Sequence, residues 1–271
     1  MTGVLAVFPS IVHAVPINYG SFMGTTVSYE MVQEDTNSGD TLPLFGPPTT
    51  VGVVTPGFPG VPCNMCGIPG NTLDFNPVGF GASSTGGGTD ITDGNLAFMI
   101  RAKPNQTISN LSITEFGDVT LTGFAPNGTQ TTFASVTTNV FIDIVEVNGV
   151  GINPMIHLQE DLSFSPSGGT YGLGTDGFPT QPLYNDIWTG TLNVNLLQEL
   201  IDRGIAGGVT KINVNLDNTL VAISQEGTAS LIAKKDAHGV IITTDIPEPA
   251  SCLLAVFGLL VGATAVRRAR G

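Results

Sequence analysis

Few residues in this chain combine the type and the spacing that chemistry needs. Cys63-Asn64-Met65-Cys66 sets two thiols three positions apart in a stretch rich in Pro and Gly. A zinc ribbon would require a second pair, and the remaining cysteine, Cys252, stands far away. A thioredoxin-type site would require the pair to open a helix, and Pro62, Gly67 and Pro69 oppose one. The spacing predicts a local disulfide that closes a small loop in an oxidising compartment. Redox or metal chemistry is the alternative. Two acidic stretches, Asp90-Ile91-Thr92-Asp93-Gly94-Asn95 and Gly174-Thr175-Asp176-Gly177, offer oxygen ligands for calcium through Asp90, Asp93 and Asp176. Neither has the spacing of an EF-hand loop, so the competing reading is ordinary turn Asp-Gly. No cofactor is otherwise called for.

Trp188 reads as a core indole, as a solitary Trp more often is, with a sugar-stacking platform formed with Tyr184 and Tyr171 as the alternative. His157 falls in Met155-Ile156-His157-Leu158-Gln159-Glu160-Asp161, where strand alternation puts His157, Gln159 and Asp161 on one face. An acid–base role competes there with a plain exposed polar face. No G-x-S-x-G elbow and no H-E-x-x-H spacing occurs, so no catalytic residue is assigned and the chain reads as a non-enzyme.

Composition narrows the function classes further. The chain has 271 residues, 22 acidic against 9 basic, a formal net charge of -13 and a mean hydropathy of +0.26. So few cations cannot make the basic footprint of a nucleic-acid binder. Hydrophobic residues at 41% exclude a disordered acidic tail. Gly, Pro, Thr, Asn and Val dominate, which speaks against long helical repeats.

The elements that would position these residues are strands. Runs at Leu96–Arg101, Ile108–Glu115, Asp118–Phe124, Thr131–Thr138 and Val140–Val147 alternate or are rich in β-branched residues. Further runs cover Met155–Phe164, Ile187–Asn195, Lys211–Leu216, Leu220–Gln225, Leu231–Lys235 and Val240–Thr244. Turns are expected at Phe116-Gly117-Asp118, Pro126-Asn127-Gly128, Asn148-Gly149, Gln225-Glu226-Gly227 and Asp236-Ala237-His238-Gly239, the last two joining a terminal meander. One short helix is expected over Leu196–Arg203, closed by Gly204. Residues 36–90 and 165–186 read as long Gly/Pro loops. The pattern Leu192-Asn193-Val194-Asn195-Leu196 returns as Ile212-Asn213-Val214-Asn215-Leu216, which fits two strands with Val inward and Asn outward. The expected fold is all-β: a single Greek-key or jelly-roll-like sandwich over residues 15–246.

The two ends read as addresses. Val4 to Val12 is apolar, and Val12-His13-Ala14 offers small residues for cleavage, so residues 1–14 resemble a clipped signal peptide whose start would lie upstream of Met1. Residues 250–266 hold 17 positions without a charge, followed by Arg267, Arg268 and Arg270. At about 1.5 Å per residue this predicts a transmembrane helix, with the arginines as a cytoplasmic anchor.

Pro247-Glu248-Pro249, the apolar run and the arginine-rich end occur in fixed order over the last 25 residues. Together they resemble the PEP-CTERM sorting signal of bacterial exported proteins. The resemblance implies an exosortase-type membrane protease that recognises Pro247, Glu248 and Pro249 and removes residues 247–271. It implies a destination at the cell surface or in an exopolysaccharide or biofilm matrix, reached from a membrane-anchored precursor. It implies no activity for the body, whose own residues carry no family resemblance. The function expected is structural or adhesive. A carbohydrate-binding sandwich is the alternative, and a secreted hydrolase the second alternative.

Overall fold

A computed structural model describes residues 15–36, 39–51, 70–123, 132–173, 183–235 and 238–245. Two antiparallel sheets face each other. The first, sheet A, is built from β1 (Ile17–Met23), β2 (Val27–Asp35), β6 (Gly88–Ala102), β13 (Val209–Ser224) and β8 (Phe133–Val147) in that order, with β9 (Val150–Asp161) and β11 (Thr170–Gly172) both on the far edge of β8. The second, sheet B, runs β10 (Ser163–Ser165), β12 (Leu183–Asn195), β7 (Asn110–Gly123), β15 (Val240–Asp245), β4 (Thr72–Phe75) and β3 (Thr49–Val51). β14 (Thr228–Lys234) also pairs with β7, and β5 (Gly81–Thr85) pairs with β14.

Strict alternation explains the layers. Along β7 the buried positions are Leu111, Ile113, Glu115, Gly117, Val119 and Leu121. Along β13 they are Ile212, Val214, Leu216, Asn218, Leu220, Ala222 and Ser224. A period of two sends these side chains to one face of each sheet, and the two inner faces merge into one apolar core. Full burial of a Val, Leu or Ile side chain contributes about 1.5–3 kcal/mol, so that alternation is the main force that closes the sandwich.

Several expectations are corrected here. The transmembrane helix expected over 250–266 does not belong to the fold: among the described residues no helix is long and apolar enough to cross a membrane. The segment itself lies outside those residues. The helix that is present, α1 (Leu196–Asp202), is the short one read from the sequence. Asn195 Oδ1 accepts the Gln198 amide at 2.9 Å, an N-cap, and Gly204 ends the turn at φ +68°. No turn interrupts Phe116-Gly117-Asp118, because β7 runs straight through it. Asn139 and Asp217-Asn218-Thr219 likewise lie inside the single strands β8 and β13. Polar residues at a strand centre look like turns in a linear reading, but here their backbone groups are held by neighbours on both sides.

The terminal meander is absent as well. The Gln225-Glu226-Gly227 turn joins β13 in sheet A to β14 in sheet B, and β14 and β15 both pair with β7 end to end. Residues 36–90 are less irregular than expected, since they contain β3, β4 and β5. The Asn148-Gly149 hairpin is found as read, with φ +52° and +76° between Val147 and its partner Val150. So is the Val-in, Asn-out echo: Val194 and Val214 are buried.

Candidate functional site

The outer face of sheet A carries a ladder of polar groups whose order follows from strand register. Reading across β2, β6, β13, β8 and β9, one row is Asp35, Asn95, Asp217, Asn139 and Asp161. The next is Gln33, Ala97, Asn215, Phe141 and Gln159. The third is Glu30, Met99, Asn213, Asp143 and His157. Beyond it Arg101 lies 3.4 Å from Glu30 and 3.2 Å from Glu146, with Lys211 at 3.8 Å from Glu146. That ionic row closes one end of the face.

The middle rows form a groove of about 410 Å³ whose walls include Met31, Gln33, Met99, Phe141, Asp143, Asn213 and Asn215. Two local features shape it. Ala97 at the centre is small. The register of β2 slips between Glu30 and Gln33, and the extra residue, Met31, stands out at φ +53° and 56% exposure. Phe141, 40% exposed, stands across β13 from Ala97. Met31 and Phe141 therefore give a polar floor two apolar walls.

The floor holds one unmet acceptor, and the adjoining row holds a second. Asn215 Oδ1 and Asp217 Oδ1 are shielded and have no hydrogen-bond partner. They sit two residues apart on one face of β13, about 7 Å along the strand. A shielded acceptor left unsatisfied costs about 1–3 kcal/mol, so both oxygens favour a ligand that donates. Burial, and then the charge of Asp93, push the Asp217 carboxyl above its ordinary range. His157 Nδ1 and Asp143 Oδ1 pair at 2.6 Å at the exposed edge.

Of the residues singled out by sequence, His157 lies in the ladder, at the edge strand of its third row, and the others fall elsewhere. Trp188 is fully buried in sheet B, and its Nε1 donates to the Asp118 carbonyl at 3.2 Å. It lies over Gly117, where a Cβ would come within 2.0 Å of the indole, and meets Phe164 edge-on at 5.8 Å. A ring so enclosed has no face for a sugar; it serves the core. Asp90 and Asp93 lie three apart on β6 and so point to opposite faces. Asp90 Oδ2 accepts the Ser83 amide at 2.7 Å, while Asp93 Oδ2 takes the Thr219 hydroxyl at 3.3 Å. The two cannot share a cation, and among the described residues no group of three His, Cys, Asp or Glu could hold a metal. Asp176, Cys63, Cys66, Pro247, Glu248, Pro249, Arg267, Arg268 and Arg270 lie outside the described residues.

The ladder itself escaped the sequence reading except through two signs, one of them the shared face of His157, Gln159 and Asp161 on β9. Asn213 and Asn215 were marked as outward-facing, but their cross-strand neighbours come from segments more than 50 residues away in sequence and only register brings them together. All six Lys and Arg of the described body are engaged: Lys103 Nζ donates to the Gly24 carbonyl, Arg203 pairs with Glu199, Lys235 with Asp118, Lys234 with Glu115, and Arg101 and Lys211 close the groove.

No family model matches the chain, and no curated protein does. Among solved structures, the enzymatically active domain of bacteriophage CBA120 tailspike protein 4 aligns at 13% identity and a TM-score of 0.15, covering 63% of this chain and 20% of that one. The infectious bursal disease virus Gt strain structure aligns at 12% identity and a TM-score of 0.12, over 84% and 58% of the two chains. Its VP2 subviral particle gives 13% and 0.11, over 82% and 51%. The chain thus spans from a fifth to little more than half the length of these structures, and likenesses this faint carry no argument about what it does.

Proposed function

We propose that this is an exported, non-enzymatic surface or matrix protein whose adhesive contact with neutral exopolysaccharide is made by the outer face of sheet A. The observation that carries the reading is a pair of unmet acceptors: Asn215 Oδ1 on the floor of a groove walled by Phe141 and Met31, and Asp217 Oδ1 in the adjoining row. A polysaccharide supplies what that floor lacks. Its hydroxyls donate to carboxamide and carboxylate oxygens, and its C–H faces pack on an aromatic ring and thioether side chains. A polymer of negative charge suits the groove less, because Asp35, Asp143, Asp161 and Asp217 stand in the same rows and the protein is acidic.

The sorting tail supports the destination. Pro247-Glu248-Pro249 with the arginines behind it resembles a processing signal, and the partner it implies is an exosortase-type membrane protease. Two measurements test the two parts. Co-sedimentation with the host's own exopolysaccharide should fall tenfold or more in Phe141→Ala/Asn215→Ala, a loss of about 1.4 kcal/mol or more; unchanged binding contradicts the groove. Mass spectrometry of the mature protein from its host should find residues 247–271 removed; an intact tail contradicts the sorting.

A further inference from the structure

The space between the sheets holds a set of reactive side chains that polysaccharide binding does not use. Lys234 on β14 and Glu115 on β7 come from sheet B, and Thr138 on β8 and Asn218 on β13 come from sheet A. All four point inward and are buried. Lys234 Nζ lies 2.5 Å from Glu115 Oε2, both side chains being wholly enclosed. Thr138 Oγ1 lies 3.0 Å from the same carboxylate oxygen and 2.8 Å from Asn218 Oδ1. The amine, the acid and the carboxamide are thus joined through one hydroxyl across the two sheets.

Two features make this more than an ion pair. The first is dryness. Nζ sits 5.1 Å from the Phe80 ring centre and 5.5 Å from that of Trp188. Both rings press in where glycine leaves room: a Cβ on Gly94 would fall 2.6 Å from the Phe80 ring, and one on Gly117 would fall within 2.0 Å of Trp188. Burial drives Lys234 toward its neutral, nucleophilic amine, against the opposing pull of Glu115. The second is incompleteness. Glu115 Oε1 and Asn218 Nδ2 are both buried with no hydrogen-bond partner. Orphaned polar atoms in one enclosed cluster are costly, and one of them is the nitrogen that an acyl transfer would expel.

We propose that Lys234 and Asn218 condense into an intramolecular amide that ties sheet B to sheet A, with Glu115 carrying the protons. The lone pair of Nζ forms a bond to Asn218 Cγ, and the Cγ–Nδ2 bond breaks. Glu115 takes the proton that Nζ sheds and passes it to Nδ2, which leaves as ammonia. One amide replaces another, so no oxidant, metal or activated co-reactant is needed. The long, flexible lysine stem lets Nζ turn from the carboxylate to the amide carbon, and the aromatic rings keep water from competing. The product removes the orphaned Nδ2 and the buried lysine amine together. It also closes a covalent ring over β13 and β14, a brace suited to a chain pulled at a surface.

A peptide map of the purified full chain decides the matter. Trypsin cuts after Lys211 and would release Ile212–Lys234, which contains both residues. An acylated Lys234 resists cleavage, so the expected fragment is Ile212–Lys235, lighter than its sequence by one ammonia, with no backbone fragments released between Asn218 and Lys234. Glu115→Gln should return the fragment to full mass. Recovery of wild-type Ile212–Lys234 at its full mass overturns the proposal, whether or not the variant folds. So does an ammonia loss that persists in Lys234→Arg, which would mark Asn218 cyclising on its own backbone. Recovery of Ile212–Lys235 joined to Ala102–Arg203, the peptide that carries Glu115, and lighter than their sum by one water would put the bond on Glu115 and overturn the assignment to Asn218.

Discussion

Asn215 and Asn218 lie three residues apart on β13 and live in opposite worlds. Asn215 faces outward, onto a floor of amides and carboxylates between Met31 and Phe141. Asn218 faces inward, 1% exposed, against Thr138 and the Glu115–Lys234 pair. Both carry an unpartnered polar atom. Outside, a ligand from solution can satisfy it. Inside, only the protein's own groups are within reach. The same residue type therefore serves recognition on one face and internal bonding on the other, and strand parity alone decides which.

That contrast can be broken on the inner side first. Gly117→Ala should be among the most damaging single changes, because its Cβ would lie 2.0 Å from Trp188 and 2.3 Å from the Ala233 carbonyl. We expect a loss of about 3 kcal/mol or more in denaturant melts, at the upper end of overpacking costs. Trp188→Ala should cost about 3–5 kcal/mol by emptying a large buried volume. The folded fraction of that variant should still bind polysaccharide with unchanged affinity, since the indole touches no part of the groove.

On the outer side the expected effects invert. Phe141→Ala should shift stability by no more than about 0.5 kcal/mol, as exposed positions usually do, and Asn215→Ala should not lower it, because it removes an unmet shielded acceptor; binding of the double variant should fall tenfold or more. Isothermal calorimetry beside a thermal melt separates the two quantities. The smallest effect concerns pH. Asp217 has its carboxyl raised by burial and by Asp93. It therefore takes up a proton at a higher pH than a free aspartate and loses its acceptor charge there. Binding should weaken as pH falls through that raised value. The sign for stability is opposite: a raised carboxyl binds more protons folded than unfolded, so its ionisation destabilises as pH rises. Asp217→Asn should remove the acid limb of the binding profile and slightly raise stability at neutral pH.

How much of this was legible in the sequence follows from the same parity. Alternation marked β7, β8 and β13 as strands and sent Val194 and Val214 inward. It could not tell a polar strand centre from a turn, so Asp217-Asn218-Thr219 and Phe116-Gly117-Asp118 were read as breaks. Gly117 looked like turn chemistry because its partner, Trp188, arrives from 71 residues away. The strands β1 and β2 were missed although Val27-Ser28-Tyr29-Glu30 alternates; the β2 bulge at Met31 then hides the period. Trp188, the sole indole, is buried as a core reading has it, but its seat over Gly117 is a fact of pairing that no local pattern carries. Lys234 and Glu115 were invisible as a pair, since 119 residues separate them.

The most direct test follows the side-chain signals of the two worlds during one titration. In ¹⁵N-labelled protein titrated with neutral polysaccharide, the side-chain amides of Gln33, Asn213 and Asn215 should shift and saturate together, while the Trp188 indole signal stays in place. Movement of the Trp188 indole with the three amides unmoved, or saturation without any change at these amides, would contradict the assignment of recognition to the outer face of sheet A.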